Sequence, residues 1–158
     1  MTHASDAPAR LRAHQRHHLD SGFADLAYHF IVDVAGNVYE GRPLTAPGET
    51  FTDYDPAGHF LATAEGNFDE QQPTPAQLGA LTDLLAWGCV TYDLDPFAIE
   101  GHHDVAATSC PGAALRALVD DGTVATAVSD VIASGGVELV VLGVDEGRAR
   151  VAAIEAGG

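Results

Sequence analysis

Apolar positions recur along the chain at two different periods, and the switches between them outline its elements. Pro8 to Asp20 predicts a helix: Asp6 stands where a cap belongs, Pro8 suits the first turn, and Gly22 follows as a stop signal. Tyr28 to Asp33 and Val38 to Gly41 then flank Ala35, Gly36 and Asn37, which predicts a hairpin with Gly36 in the strained turn position. Pro43 to Gly58 is rich in Pro, Gly, Asp and Thr and has no period, so a long loop is expected, and loops of that length are often functional. Phe60 to Glu65 alternates as a third strand. Thr74, Pro75, Ala76 and Gln77 form a capping box with Pro at the first helical position, and Leu78, Leu81, Leu85, Cys89 and Tyr92 continue it as one apolar face. Phe97 to Gly101 reads as a short extended piece and Pro111 to Val119 as a helix that starts directly after Cys110. Beyond Gly122 the pattern predicts a helix through Val124, Val128 and Ile132, a strand from Val137 to Val144, and a last helix from Glu146 to Glu155. This tail has no His, Cys or aromatic residue and is assigned to packing.

Composition narrows the classes. At 158 residues and 46% hydrophobic content, the chain suits one domain with a genuine core. No stretch approaches the roughly 18 apolar residues of a membrane helix, and Met1 to Arg16 shows neither a basic nor an apolar leader region, so no export signal is visible. The 23 acidic residues face 7 basic ones, all Arg, for a formal charge of −16. Such a chain is repelled by nucleic acid and by anionic membranes, which removes both as general partners. The lysine-free surface fits either a salt-rich habitat or a biased genome, and a monomer is expected.

The candidate chemistry lies in a few residues. His102 and Cys110 are joined by a loop, Asp104 to Ser109, that can fold back so both side chains face one point. A thiolate at a helix N-terminus is favoured by the dipole and free N–H groups, so a lowered Cys110 pKa is expected. Imidazole plus thiolate, with a third ligand and an open position, is the ligand set of a catalytic zinc site. Spacing alone is also compatible with structural roles for both. Cys89, inside an apolar helix, reads as a small hydrophobe, and a disulfide to Cys110 is disfavoured. His14, His17 and His18 share a helical face that is read as solvated, because no acidic or sulfur ligand is in register with them. Tyr28 and His29 point to opposite strand faces, so one can line a site while the other packs.

The order of these motifs resembles the type 2 N-acetylmuramoyl-L-alanine amidase and peptidoglycan recognition family. The resemblance runs over Gln15 to Phe30, then Gly36 to Arg42, Glu65 to Phe68, and Gln77 with Leu78. Its most specific part is Gly101, His102, His103, Asp104 and Val105, followed by Thr108, Ser109, Cys110, Pro111 and Gly112. It covers about Pro8 to Leu118, and implies an amidase domain over residues 1–122 with a helix–strand–helix extension over 123–158. The implied fold is α/β, a mixed central sheet flanked by helices, with zinc at the floor of a groove that takes peptidoglycan or muropeptides. The implied reaction is hydrolysis of the amide between N-acetylmuramic acid and L-alanine, the alternative being a peptidoglycan-binding module without catalysis. By the resemblance His102 and Cys110 match two zinc ligands, Tyr28 matches a tyrosine facing the metal, and Thr108 matches a position near the reacting carbonyl. Asp104 is either a support for a ligand or a cap. The family's first zinc histidine ends a strand, which here is missing or shortened, and His3 is the candidate for that ligand. The groove loop, Gly48 to His59, departs from the family's pattern. His59 and Asn67 are candidate substrate-binding residues, His59 being equally readable as an ordinary strand-entry histidine.

Overall fold

The computed structural model describes residues 3–157. A short 3-10 turn, Ala4–Asp6, leads into α1, Ala7–Asp20. Asp6 does not cap this helix with its side chain; its carboxylate instead lies 3.6 Å from Arg10 one turn on. Three short strands follow, β1 (Phe30–Val32), β2 (Val38–Glu40) and β3 (Ala62–Ala64). β1 pairs antiparallel with β2, Ile31 opposite Tyr39, and parallel with β3, Ile31 opposite Thr63, giving the order β2-β1-β3. The fold is thus mixed α/β, and no strand precedes α1 among the described residues.

The β1–β2 turn is locked by Asp33, which is fully buried. Its carboxylate accepts hydrogen bonds from the backbone N–H of Ala35 and Asn37, the Asn37 amide and the Tyr39 hydroxyl, each at 2.9 Å. Gly36 has φ +83°, and a Cβ there would stand 2.8 Å from the Ala76 carbonyl oxygen, so both the turn and the close approach of the next helix require glycine.

That next helix is α2, Pro75–Tyr92. Thr74 caps it, accepting from Gln77 N, with Pro75 at the start. The expected reciprocal half of the capping box is absent. Gln77 turns inward, fully buried, and its amide donates to the carbonyls of Val32 (3.0 Å) and Glu65 (2.9 Å), at the ends of β1 and β3, where the Val32 oxygen also accepts from Glu65 N at 2.8 Å. α2 also buries more than the one face its sequence suggests. Leu81 and Leu84 pack with Phe30, Val32, Phe68 and Leu115 on the sheet side, while Ala86 and Cys89 pack with Val124 and Val128 of α5 (Thr123–Ala133). Tyr92, expected on the apolar face, is exposed. On the opposite sheet face Leu11 of α1 meets Ile31 and Leu26. Each fully buried leucine of this kind stabilises by about 1.5–3 kcal/mol.

Three further helices complete the chain: α3 (His102–Val105), α4 (Ala113–Asp120) and α6 (Val144–Glu155). Phe97 to Gly101, expected extended, opens in a 3-10 turn at Pro96–Ala98 before straightening. The strand expected at Val137 to Val144 does not form: this run joins α5 to α6 and enters no ladder. Only Leu139 reaches the sheet-side core, while Val140 and Val141 are 71% and 75% exposed. A run of Val and Leu alone does not make a strand when its backbone joins no sheet.

Candidate active site

His102 opens α3, the short helix whose start is shaped by Asp104, which accepts from Gly101 N at 2.8 Å. Asp104 therefore acts as the cap. The loop then turns at Thr108, whose hydroxyl oxygen accepts from Cys110 N at 3.2 Å. The Cys110–Pro111 bond is cis, and α4 begins only at Ala113. This corrects the sequence expectation of a thiol at a helix N-terminus. The first N–H groups of α4 are taken by Asp69 Oδ1 (from Ala113, 2.8 Å) and by the Phe68 carbonyl (from Ala114, 2.9 Å). Gly112 makes that docking possible: with φ +89°, a Cβ there would come within 2.8 Å of the Phe68 backbone.

A cavity of about 970 Å³ runs beside β3, one of the two edge strands, and Tyr28, His59, His102, Thr108 and Cys110 all line it. Burial raises the Cys110 thiol pKa rather than lowering it, since no cation or free helix N–H stands against the sulfur. The Tyr28 phenol is also raised, by burial first and then by the neighbouring Cys110 charge. Burial lowers the His102 pKa. The metal-free centre is thus a neutral imidazole, a thiol and a phenol at neutral pH. Both cysteines are free.

Of the two strand neighbours, Tyr28 takes the cavity and His29 packs. His29 is 3% exposed, its Nδ1 accepting from Leu61 N and its Nε2 standing 3.0 Å from the Ala46 carbonyl. Of the α1 histidines, His17 is exposed and His14 and His18 reach the cavity wall. The long loop, irregular as expected, is fastened by Arg42, 4% exposed, which donates to the carbonyls of Leu26 (2.8 Å), Pro47 (2.7 Å) and Asp25 (3.2 Å) and pairs with Glu49. His59 is exposed at the cavity, its ring 5.2 Å from Tyr54, which in turn lies 6.1 Å from His102.

Two predicted residues fall outside the cavity lining. Asn67 is exposed and its amide oxygen accepts from Asp69 N, building the turn that holds α4. His3 is exposed, and its carbonyl is held by Arg10 at 2.9 Å. Among the described residues, His103, Asp104 and Asp120 form the one group of three such donors whose ligand atoms lie mutually within 4.8 Å. There His103 Nε2 sits between two exposed carboxylates, one of them also bound by Arg116. Sequence reading missed Thr50 and Thr52, whose hydroxyls both lie 3.3 Å from His102 Nε2. No local signal in the sequence points to them, because the contact depends on the loop meeting a histidine distant in the chain.

The chain resembles known proteins over this same region. Residues 1–113 match the family model "N-acetylmuramoyl-L-alanine amidase". The N-acetylmuramoyl-L-alanine amidase of Sus scrofa is 37% identical over 110 residues, 68% of this chain, and the chain spans 18% of that protein's length. Among solved structures, the N-acetylmuramoyl-L-alanine amidase LysC from Clostridium intestinale aligns with a TM-score of 0.62 at 31% identity, covering 66% of this chain and 68% of that one. Human PGRP-IBETAC, solved in complex with glycosamyl muramyl pentapeptide, aligns with a TM-score of 0.67 at 29% identity over 76% of this chain and 74% of that one. With a family model spanning the sheet, the groove loop and the His102 to Cys110 loop, the chain belongs to the N-acetylmuramoyl-L-alanine amidase family, which it shares with peptidoglycan recognition proteins.

Proposed function

We propose that this chain is a zinc-dependent amidase that cleaves the bond between N-acetylmuramic acid and the L-alanine of a peptidoglycan stem peptide. The observation that carries the reading is the convergence of Tyr28, His102, Thr108 and Cys110 on one cavity. The donor set suits the metal in kind: an imidazole that burial keeps neutral and a free thiol at the cavity wall. His102 and Cys110 would hold the zinc, and when bound it supplies Lewis acidity to a carbonyl and a water. The chain's own groups do the rest. Tyr28, its phenol kept protonated by burial, donates a hydrogen bond to the oxygen that gains charge. The Thr108 oxygen is engaged by Cys110 N, which leaves its hydroxyl hydrogen to donate to the same oxygen or to the substrate amide. His59 and Tyr54 offer ring surfaces beside the cavity to the substrate. The amidase activity named for the Sus scrofa relative and the glycosamyl muramyl pentapeptide in complex with human PGRP-IBETAC support the substrate class.

A catalytic zinc needs a third protein ligand. We assign it to His3 on the family resemblance, which requires that side chain to enter the cavity. His3→Ala is then expected to abolish hydrolysis with circular dichroism unchanged, and full zinc with full activity in that variant would move the assignment to another histidine. The alternative, a peptidoglycan-binding module without hydrolysis, is favoured by one observation: among the described residues, no third such donor stands with His102 and Cys110 inside 4.8 Å. Metal analysis of the purified protein, beside an assay for stem peptides released from cell walls, separates the two. The amidase reading requires about one zinc per chain and peptide release; retention of wall fragments without release would establish the binding module.

A further inference from the structure

The segment Thr50-Phe51-Thr52 meets the active-site histidine with two hydroxyls at once. Both Oγ1 atoms lie 3.3 Å from His102 Nε2 and 2.8 Å from each other. Thr50 Oγ1 also accepts from Thr52 N at 3.1 Å, which fixes the segment's local shape. The intervening Phe51 stacks on Phe23 with ring centres 4.3 Å apart, and the bend closed by the Thr52 N to Thr50 Oγ1 bond presents both threonines to the histidine together. On the far side of the ring, Nδ1 has no hydrogen-bond partner among the described residues.

We propose that Thr50 and Thr52 are positioning residues that clamp His102 in the tautomer protonated at Nε2 and so leave the Nδ1 lone pair free for the metal. The proton count supports this. The 2.8 Å contact between the hydroxyls uses one of their two hydrogens, so at most one could be given to Nε2. Two oxygens at equal distance suit a single Nε2–H shared between them. The opposite tautomer would leave an N–H at Nδ1 with no protein acceptor among the described residues. A ligating histidine whose second nitrogen is held this way keeps its ring orientation and its lone pair, and loss of such a partner weakens metal binding by roughly 10- to 100-fold.

The proposal rests on the zinc reading above, and its test separates the two. The wild type, the T50V/T52V variant and the T50S/T52S variant are compared in two measurements. Long-range ¹H–¹⁵N spectra of the metal-free proteins, at a pH where the imidazole is neutral, read the His102 tautomer directly. Nε2–H in the wild type, giving way to a mixture in T50V/T52V and restored in T50S/T52S, is expected; Nδ1–H in the wild type, or an unchanged tautomer in the valine variant, overturns the clamp. Zinc affinity by chelator competition is expected to fall roughly 10- to 100-fold in T50V/T52V and to recover in T50S/T52S. Equal affinity in all three proteins also overturns the clamp while leaving the zinc site standing. A wild type that binds no zinc refutes the zinc reading, and the tautomer spectra still decide whether the hydroxyls set the ring.

Discussion

The turn around Asp33 and the pair His102 and Cys110 both set polar groups among apolar side chains, yet they use their bonding capacity in opposite ways. Asp33 is fully buried and accepts four hydrogen bonds, two from backbone and two from side chains. Nothing more can bind there; the cluster closes on itself and its product is the shape of the hairpin. At the other site burial acts almost unopposed: it pushes the Cys110 thiol up and the His102 imidazole down, with no charged partner to reverse either. Groups kept neutral and unspent at a cavity wall cost stability unless something arrives to use them. A polar cluster that satisfies itself builds the fold, and one that does not is where a ligand belongs.

The largest losses are expected at the open site. Cys110→Ser and His102→Ala are each expected to remove most of the zinc and reduce stem-peptide release below detection. Their metal-free forms should unfold within about 1 kcal/mol of the metal-free wild type, because neither side chain holds the fold together. Full zinc occupancy in both variants would refute the site assignment. Tyr28→Phe comes next: it should keep its zinc while turnover falls roughly 10²- to 10³-fold, the loss for one donor to a developing oxyanion. Unchanged turnover with muramyl peptides would take Tyr28 out of the reaction.

At the closed site the expected loss lies in folding. Asp33→Ala leaves four donors without their acceptor and should cost about 3 kcal/mol or more in urea denaturation. A variant that unfolds at the wild-type urea concentration would mean that water replaces the carboxylate freely.

The smallest effect lies in the pH dependence, where the two kinds of site give slopes in different windows. Glu49 is lowered chiefly by the Arg42 hydrogen bond, and Asp25 chiefly by the one from Gln15. Their folded pKa values lie below the unfolded ones, so their stabilisation is complete above about pH 4 and is lost as pH falls through the folded values. His102 and His18 are lowered by burial. Below about pH 6.5 the unfolded chain takes up protons that the folded imidazoles still refuse, so stability already declines in that upper window. Thermal melts of the metal-free protein between pH 7 and pH 3 should show both declines, with Glu49→Gln flattening only the lower one. A lower limb unaffected by that substitution would show that the Arg42–Glu49 pair contributes nothing measurable.

What was legible in the sequence followed from local chemistry. Thr74 and Pro75 start α2 because a hydroxyl and a fixed φ suffice to do so, and Gly36 makes the hairpin turn for the same kind of local reason. His102 and Cys110 could be paired in advance since one loop carries both, whereas Thr108 joined them only through the family resemblance. The misses all required knowledge of a distant neighbour. Gln77 abandons its capping role because two strand carbonyls reach it from elsewhere in the chain. α4 starts late because Asp69 takes its first N–H. Val137 to Val144 is rich in Val and Leu but joins no ladder, and Thr50 and Thr52 meet His102 only because the loop brings them there.

Arg42 has a further consequence, in the thermodynamics of association. By tying Pro47 and Glu49 to a buried guanidinium that also holds the Asp25 and Leu26 carbonyls, it fixes where the groove loop starts during folding. The conformational entropy of that segment is therefore surrendered before any ligand is met. A ligand that seats against the loop does not have to order it, and more of its contact energy survives as affinity.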